Sequence, residues 1–436
     1  MAWTVQLIHI IPDFLTNCRN YGRPETAKAV FATADTRCRM NENYAPETVR
    51  LATRSRRLKI SAIKEMSILS AKVPGAASLA WGLPSFQTPA PIRTAVAHAL
   101  EADPEAGMYA LPGGLPQLCE AVASEHQRRT GKGVHPESNV TITSGNMEGL
   151  NTLFHVLVEP GDEVIVTNPG FVSHISQIEF NGGRPVFWDL NEERGWQPNV
   201  VDLTKLIGPR TKAIVMVNPS NPTGTIFPEE IMRAVGTIAK ENGLLVILDD
   251  PYSHFTYENR ARFFNLAYEP EFAQNTVYLF TFSKAYAMSG WRVGYMIAPA
   301  QLHSHIVKIH DLTMICTPRI SQLAALAALS QKTDHLAGFE SILDRRRRLI
   351  CERLDRLDHV FEYIRPQGAY YVFPRLVDRR EDSVSFSHML LEQAGVTVTP
   401  GSAFGPAGEH HVRMAFCVED DVINKAFDRM EVYFGT

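Results

Sequence analysis

Six short apolar runs between residues 139 and 298 constrain the fold of this chain more than any other feature. The runs are NVTIT, DEVIVTN, TKAIVMVN, LLVILDD, TVYLFTF and RVGYMIA. Their apolar residues are continuous and do not alternate with polar ones, which is typical of strands buried on both faces of a parallel sheet. Helical patterns separate the runs at residues 115–130, 147–158 and 228–242. The chain is therefore predicted to be α/β, with a three-layer, doubly wound, mostly parallel sheet.

The length of 436 residues predicts more than one domain. We expect an N-terminal extension without an assigned role at 1–50 and a segment at 51–88 that packs on a small domain. A large domain at 89–320 would carry the sheet and its ligand, and a small α+β domain would follow at 321–436. Within the extension, Met40 is a candidate start of the chain. The apolar stretch VQLIHII is too short to cross a bilayer, and no basic residue precedes it.

Charge and cysteine content argue against several classes of function. Lys and Arg total 43 and Asp and Glu total 47, so neither nucleic acid nor an anionic membrane is an expected partner. The cysteines form no C-x-x-C pair, which indicates reduced thiols in a cytosolic protein, and the histidines do not cluster as metal ligands do. The arginine run at 345–348 is predicted to be a solvated helix face paired with Asp344, Glu352, Asp355 and Asp358. A small molecule is the expected partner.

Polar residues that could carry chemistry follow three of the predicted strands, at the carboxyl ends where open α/β sheets bind their ligands. The side chains placed there are Asp249, Tyr252, Asn221, Thr281, Ser283 and Lys284. Lys284 is surrounded by small and apolar residues, which predicts burial, a lowered pKa and a nucleophilic amine. Each motif alone is also explained as a loop or a helix cap. Together, a lysine for a Schiff base, an acid for a pyridine nitrogen, and hydroxyls with Arg292 for a phosphate are the parts of a pyridoxal phosphate site.

A series of motifs extends from about residue 55 to residue 434. In chain order they are SLAWGLPSFQTP, YALPGGLPQL, TSGNMEGL, PGDEVIVTNPGF, NPSNPTG, DDPY, SKAYAMSGWRVGY, PQGAYYVFP and PGSAFG followed by HVRMAF. In these motifs and their order the chain resembles the class I/II family of fold-type I pyridoxal-phosphate aminotransferases, which includes aspartate and aromatic aminotransferases. It departs from many relatives at Leu83, where they have an acidic residue, and at Asn146 and Met147, where they have polar ones.

The resemblance implies catalytic roles at the strand ends. Lys284 would form the Schiff base with pyridoxal 5'-phosphate and, once freed by substrate, move a proton as a general base. Asp249 would keep the pyridine nitrogen protonated, and Asn221 and Tyr252 would hydrogen-bond the phenolic oxygen of the ring. Phe171, within NPGF, matches the family's aromatic residue stacked on the ring, and core packing explains a phenylalanine there equally well.

The resemblance also implies a site for the cofactor phosphate. Thr281, Ser283 and Arg292 would supply hydroxyls and a guanidinium, which suit a dianion. The backbone amides of Asn146 and Met147 lie where TSG is expected to turn into a helix, and a helix N-terminus attracts anions.

Substrate binding and assembly follow from the same resemblance. Arg413, within HVRMAF, matches the arginine that binds the substrate α-carboxylate, aided by the backbone of Gly82 and by Asn221. Tyr109 resembles the tyrosine that reaches the phosphate of a neighbouring subunit, so a homodimer with shared sites is implied.

The leading hypothesis is an aminotransferase that moves an amino group from an L-amino acid to a 2-oxo acid by a ping-pong mechanism. A carbon-sulfur β-lyase is the alternative, because the same scaffold can eliminate a β-substituent. A non-catalytic, aminotransferase-like sensor domain is a remote alternative, because the N-terminal 50 residues carry no clear helix-turn-helix pattern.

The identity of the substrate rests on the residues expected to line the site. These are Trp81, Leu83, Tyr109, Phe171 and Tyr371, and they include no second cation for a distal carboxylate. Aromatic and neutral amino acids are therefore ranked first. Dicarboxylic ones rank second, because Arg56, Arg57 and Lys59 in the N-terminal segment could supply the missing cation.

Overall fold

The predicted apolar runs come together in one sheet in the computed structural model, which describes residues 50–58, 60–257, 263–330, 334–378 and 380–435. The strands are β1 (Ala77–Ser78), β2 (Val140–Thr143), β3 (Glu163–Asn168), β4 (Arg184–Asn191), β5 (Gln197–Pro198), β6 (Thr211–Val217), β7 (Leu245–Asp250), β8 (Thr276–Thr281), β9 (Gly294–Ile297), β10 (Phe361–Glu362), β11 (Tyr371–Val372), β12 (Arg375–Leu376), β13 (Val396–Thr397), β14 (Thr399–Pro400) and β15 (Val412–Ala415). The α-helices are α1 (Thr53–Arg57), α2 (Ala62–Ala71), α3 (Ala90–Ala102), α4 (Pro116–Thr130), α5 (Pro136–Asn139), α6 (Asn146–Leu157), α7 (Val172–Phe180), α8 (Val200–Leu206), α9 (Glu229–Glu241), α10 (Phe282–Ala285), α11 (Ala300–Met314), α12 (Arg319–Ser330), α13 (Asp334–Leu354), α14 (Ser383–Met389) and α15 (Asp420–Phe434).

The central sheet of the described chain has the strand order β2-β9-β8-β7-β6-β3-β4-β5. Strands β8, β7, β6, β3 and β4 are parallel to one another, whereas β9 and β5 are antiparallel to their neighbours. All six predicted runs are strands of this sheet, and the prediction of a mostly parallel sheet is confirmed. Strand β4 was not predicted, because RPVFWDLN mixes polar and apolar residues and only part of it is buried.

Successive side chains of a strand point to opposite sides of the sheet, and both sides of these strands are apolar. Helices therefore cover both faces. On β7, Val246 packs in a buried cluster with Val235 of α9. The next residue, Ile247, packs in a second cluster with Leu153 of α6. The predicted three-layer α/β arrangement follows from this alternation.

The C-terminal part of the chain carries a smaller antiparallel sheet, in the order β11-β15-β14. Arg413 of β15 lies opposite Thr399 of β14. Strand β1 pairs with β13, and the N–H of Ala415 donates to the carbonyl of Leu79. This pairing brings the segment that follows β1 to the small sheet and to Arg413. Residues 53–436 form one compact unit, and the domain boundaries at 88 and 320 stay predictions.

The arginine run on α13 differs from the predicted solvated face. Arg346 and Arg347 are each only 2% exposed, whereas Arg348 is exposed. Arg346 donates to Ser85 Oγ and to Asp420 Oδ1, each at 2.9 Å. The prediction was wrong for Arg346 and Arg347. Arg346 faces α15, against which α13 packs, whereas Arg347 donates to the carbonyl of Pro366 at 3.2 Å and lies over the ring of Tyr257.

Three further observations concern thiols, metals and membranes. Buried free thiols are found at Cys119, Cys316, Cys351 and Cys417. Across the described ranges, no group of three or more His, Cys, Asp or Glu side chains is arranged to hold a metal ion. None of the helices described has the length and apolar character needed to cross a membrane.

The extension predicted at 1–50 falls almost entirely outside the described residues.

Candidate active site

The predicted site residues gather at the carboxyl ends of β6, β7 and β8. Asp249 lies near the end of β7, Thr281 ends β8, and Asn221 lies in the loop after β6. All three side chains are buried. Neighbouring parallel strands end at the same edge of a sheet, so these buried polar groups line one site where open α/β sheets bind ligands.

Asp249 is held by side chains from two helices. Asn146 Nδ2 donates to Asp249 Oδ1 at 2.6 Å, and His174 Nε2 lies 2.9 Å from Oδ2. Phe171 precedes α7, and its ring meets the His174 ring edge-on with centroids 5.3 Å apart. A carboxylate oxygen has two lone pairs, so each oxygen of Asp249 can still accept a further hydrogen bond. The carboxylate is therefore fixed in orientation and able to face a cationic partner.

Lys284 lies in α10, directly after β8. Its Nζ donates to the carbonyl of Gly82 at 2.8 Å, and Tyr370 Oη donates to the same carbonyl at 3.3 Å. Burial lowers the pKa of Lys284 to about 8, and the positive charges of Arg413 and Arg292 act in the same direction. More of this amine is unprotonated near neutral pH than for a surface lysine, which makes it a competent nucleophile.

Arg413 is 1% exposed and lies at the centre of the small sheet. Its Nη1 donates to Asn221 Oδ1 at 3.3 Å, its Nη2 donates to the carbonyl of Ala80, and its guanidinium lies 4.4 Å from the centroid of the Tyr371 ring. Arg413 Nε is buried and has no partner among the described residues. A buried guanidinium without a carboxylate partner is costly, so this one is arranged to receive an anion.

Two buried tyrosines complete this part of the site. Tyr252 Oη lies 3.4 Å from Asn221 Nδ2 and 3.0 Å from Tyr371 Oη. Burial, reinforced by Tyr371, raises the pKa of Tyr252 well above its usual value, so its hydroxyl stays protonated and can donate. A Cβ on Gly82 would lie 1.9 Å from Tyr371 Oη, so only glycine fits at that position.

The N-terminus of α6 and Arg292 form a second polar end of the site. Gly145, the residue before the helix, has φ of 80°, and a Cβ there would lie 2.7 Å from Arg292 Nη2. Arg292 Nη2 donates to the carbonyl of Ser144 at 3.1 Å. Nearby along the chain, Thr281 Oγ1 donates to Ser283 Oγ at 2.8 Å. Backbone donors, a guanidinium and hydroxyls are the groups that bind a phosphate.

Two of the predicted residues are less closely tied to this cluster. Tyr109 is 74% exposed, and within the described chain it makes no hydrogen bond to any other predicted site residue. Met147 exposes its side chain, and its carbonyl accepts a hydrogen bond from Gln177 Nε2 at 2.8 Å. Met147 therefore offers only its backbone amide to the site.

The residues present fit pyridoxal phosphate. An amine of lowered pKa, a buried carboxylate with free lone pairs and a phosphate-binding end occur at one edge of the sheet. The donor of Arg413 Nε and the acceptor Asn146 Oδ1 are buried without protein partners among the described residues. In this arrangement Lys284, Asp249 and Arg292 would hold the aldehyde, ring and phosphate ends of the cofactor.

Sequence reasoning missed three residues of the site. His174 contacts Asp249, and its closeness in sequence to Phe171 was the available signal, since no helix was predicted over 172–180. Tyr370, which contacts Gly82, stood within the quoted motif PQGAYYVFP without an assigned role. Glu148, within TSGNMEGL, accepts a hydrogen bond from the backbone of Ser144.

Comparisons with known proteins agree with this geometry. The family model described as aminotransferase class I and II matches residues 77–430. The chain is 34% identical to an aspartate aminotransferase of Pyrococcus horikoshii, over 87% of this chain and 96% of that protein. It is 30% identical to aromatic-amino-acid aminotransferase 2 of Thermococcus litoralis, over 87% and 97% of the two chains. The solved structure of Thermus thermophilus aspartate aminotransferase with maleate superposes with a TM-score of 0.82 at 32% identity, covering 88% of this chain and 99% of that one.

Proposed function

Because the chain belongs to the pyridoxal-phosphate-dependent class I and II aminotransferases, we propose that it uses Lys284 to transfer the amino group of an aromatic or neutral L-amino acid to a 2-oxo acid. One observation carries the assignment of the site. The carboxylate of Asp249 and the guanidinium of Arg413 are buried, the side chain of Lys284 is partly buried, and Lys284 and Arg413 both donate hydrogen bonds to the segment after β1.

When bound, pyridoxal phosphate supplies an aldehyde that carries the amino group between two half-reactions and a ring that takes up electrons from the substrate Cα. Lys284 Nζ would hold the aldehyde covalently and, once freed by the substrate amine, would move the proton from the substrate Cα to the former aldehyde carbon of the cofactor. Asp249, fixed by Asn146 and His174, stabilises the positive charge of a protonated pyridine nitrogen.

The remaining site residues bind and orient. Arg413, with Asn221 beside it, binds the α-carboxylate of the substrate and so aligns the Cα with Lys284 Nζ. The hydroxyl of Tyr252 would donate to the phenolic oxygen of the cofactor. The phosphate of the cofactor would be held by Arg292, the hydroxyls of Thr281 and Ser283, and the amides of Asn146 and Met147.

The preference for aromatic or neutral substrates rests on the lining of the site. Trp81 and Leu83, which flank Gly82, are 57% and 40% exposed, so both offer apolar surface next to the carbonyl that contacts Lys284. Arg413 and Arg292 already serve the α-carboxylate and the phosphate. A dicarboxylic substrate needs another cation, since a buried unpaired carboxylate is costly.

The N-terminal helix α1 carries cations that could fill that role. Arg54 of α1 lies over the ring of Phe180, 5.7 Å from its centroid, at the C-terminal end of α7. Phe171 lies at the other end of the same helix, roughly 13 Å away at 1.5 Å per residue. Within one protomer, Arg54 therefore contacts the end of α7 that is remote from Phe171. Lys59 falls outside the described residues.

The test is a panel of amino acids assayed with 2-oxoglutarate as acceptor. Phenylalanine, tyrosine, methionine and leucine are expected to give higher kcat/KM than aspartate, and the Lys284→Ala variant should be inactive with all of them. An aspartate value ten times or more above the others would reverse the ranking and leave the aminotransferase assignment intact. Release of pyruvate and ammonia from a β-thio amino acid, with no amino transfer, would instead identify a β-lyase.

A homodimer is part of the proposal, supported by exposed apolar side chains beside the site. The apolar patch consists of Met108, Tyr109, Leu111, Leu312, Met314 and Ile315, all of which are exposed. Its two segments are adjacent, because the N–H of Ala110 lies 3.4 Å from Cys316 Sγ. The patch reaches the phosphate end of the site, where Thr317 Oγ1 lies 3.4 Å from Ser144 Oγ. Covering this patch with a second copy would bury Tyr109 near that copy's site.

Two smaller parts of the proposal concern domains and location. The proposed large domain spans 89–320 and the proposed small domain spans 321–436, since the central sheet and the small sheet fall on either side of residue 320.

A cytosolic location is proposed from the free thiols alone, which are all buried in the described chain.

A further inference from the structure

A buried carboxylate and a buried imidazole lie behind the N-terminus of α6. Glu148, in the first turn of α6, is largely buried, and His310 of α11 is completely buried. His310 Nδ1 lies 2.9 Å from Glu148 Oε1. Neither residue contacts Lys284, Asp249 or Arg413, so neither belongs to the reacting end of the site.

Glu148 accepts three hydrogen bonds at once. The backbone N–H of Ser144 donates to Oε2 at 2.9 Å, and Thr152 Oγ1 donates to Oε1 at 2.6 Å. The third donor is His310. Although burial alone would raise the pKa of Glu148, these hydrogen bonds and the nearby imidazole hold it below its usual value. The group is therefore a carboxylate, and its bond to Ser144 anchors the residue that leads into Gly145.

His310 has no other polar role in the described chain. A carboxylate can only accept a hydrogen bond, so His310 Nδ1 carries a proton in this contact. Its Nε2 is buried without a partner among the described residues. Ile306, one turn earlier on α11, packs in the apolar cluster against the sheet. An apolar pair of the same size would be at least as stable in such surroundings, so stability alone does not explain the pair.

The pair of Glu148 and His310 lies against the turn at Ser144 and Gly145, which leads into α6. Ser144 offers its N–H to Glu148 and its carbonyl to Arg292 Nη2, so the peptide groups on both sides of its Cα are fixed. Gly145 follows with φ of 80°, and α6 then begins at Asn146. We propose that Glu148 and His310 are positioning residues for the phosphate of the cofactor: they fix the turn so that Arg292 and the first amides of α6 converge on it. This inference rests on the proposed function, which assigns the phosphate to that turn.

The experiment separates the phosphate from the rest of the cofactor. Apoenzyme is titrated with pyridoxal phosphate and with pyridoxal, which lacks the phosphate, and the ratio of the two Kd values is compared between variants. Glu148→Ala is expected to lower the preference for the phosphorylated form by about 10- to 100-fold, the usual effect of losing a hydrogen bond to a charged group. Affinity for pyridoxal should stay within about threefold, since Lys284 and Asp249 are unchanged.

Further variants keep the test decisive. Glu148→Gln has nearly the same shape but one acceptor oxygen, and His310→Leu removes one donor, so both should give smaller losses of the same preference. Matched controls are Glu179→Ala on α7 and His305→Leu on α11, which change exposed residues and should leave the ratio unchanged. The unfolding midpoint of each apoenzyme identifies any variant that does not fold.

Three results would overturn the inference: an unchanged ratio in Glu148→Ala and Glu148→Gln, an equal loss of affinity for both ligands, or tighter binding of pyridoxal phosphate once the negative charge is removed. A wild-type chain that shows no preference for pyridoxal phosphate over pyridoxal would instead refute the assignment of the phosphate end itself.

Discussion

Lys284 obtains its reactivity from its surroundings rather than from any special chemistry of its own. Thr281, Ser283 and Lys284 were predicted as one group because they end an apolar strand and are followed by small residues. The structure adds the carbonyl of Gly82 as the partner of the amine, a contact across about 200 positions of sequence. No local pattern predicts such a contact, because it depends on the pairing of β1 with β13.

The pKa of Lys284 gives a prediction for the apoenzyme. Only the unprotonated amine attacks an aldehyde, and burial lowers this pKa from 10.5 to about 8. The rate of covalent cofactor attachment should therefore rise about tenfold per pH unit below pH 8 and level off above it. Attachment is followed by borohydride trapping and mass measurement of the Lys284 peptide. Nα-acetyl-lysine, which keeps its side-chain amine, is the control in the same buffers. If the rate for Lys284 levels off only at a pH as high as the rate for this free amine does, the prediction is contradicted.

Arg413 gives a prediction about substrate orientation. Arg413→Ala removes the guanidinium that we assign to the α-carboxylate, and losing one partner of a buried charge pair typically costs roughly 2 to 5 kcal/mol. The kcat/KM for phenylalanine should fall by about 30-fold or more. Phenethylamine, which lacks the carboxylate, serves as the control and should be affected far less. An equal loss with both compounds would show that Arg413 supports the fold and not the carboxylate.

At the scale of elements, the apolar runs were predictable and the end of the central sheet formed by β4 and β5 was not. Strands β3, β6 and β7 are covered on both faces, so they need continuous apolar sequence. Strand β4 lies near the end of the sheet beside β5 and keeps polar residues exposed, so its sequence resembles a loop. His174 was missed for a related reason: its role depends on α7 lying beside the end of β7.

The arginine run on α13 gives a prediction at the same scale. Arg346 is buried and links α13 to Ser85 and to the start of α15, whereas Arg348 is 55% exposed and pairs with Asp344 at 3.4 Å. Arg346→Met should lower the free energy of unfolding by about 2 kcal/mol, the scale of lost hydrogen bonds to charged groups. Arg348→Met should change it by less than about 0.5 kcal/mol. Denaturant unfolding of the holoenzyme measures both, and equal effects would show that position within the run does not matter.

At the scale of the whole molecule, the apolar patch is the feature that one protomer leaves unexplained. Large apolar patches on a soluble surface mark sites of association. Ile315, within the patch, has φ of 65°, a strained conformation for a β-branched residue. Strain of this kind concentrates at functional sites, and here the strained residue lies two positions before Thr317, which contacts the turn at the phosphate end.

Leu312 provides the sharpest test of the proposed dimer. It is 82% exposed in one protomer, so Leu312→Arg should cost little in folding. In a dimer that covers the patch, the same change buries an unpaired charge and should weaken association strongly. Wild-type protein is expected at twice the chain mass of 48.7 kDa in sedimentation equilibrium, and Leu312→Arg should shift toward the mass of one chain. Val432→Arg, at an 85% exposed position on α15, is the matched control and should remain dimeric. If the wild type has the mass of a single chain, or if both variants keep the wild-type mass, the patch does not form the dimer interface.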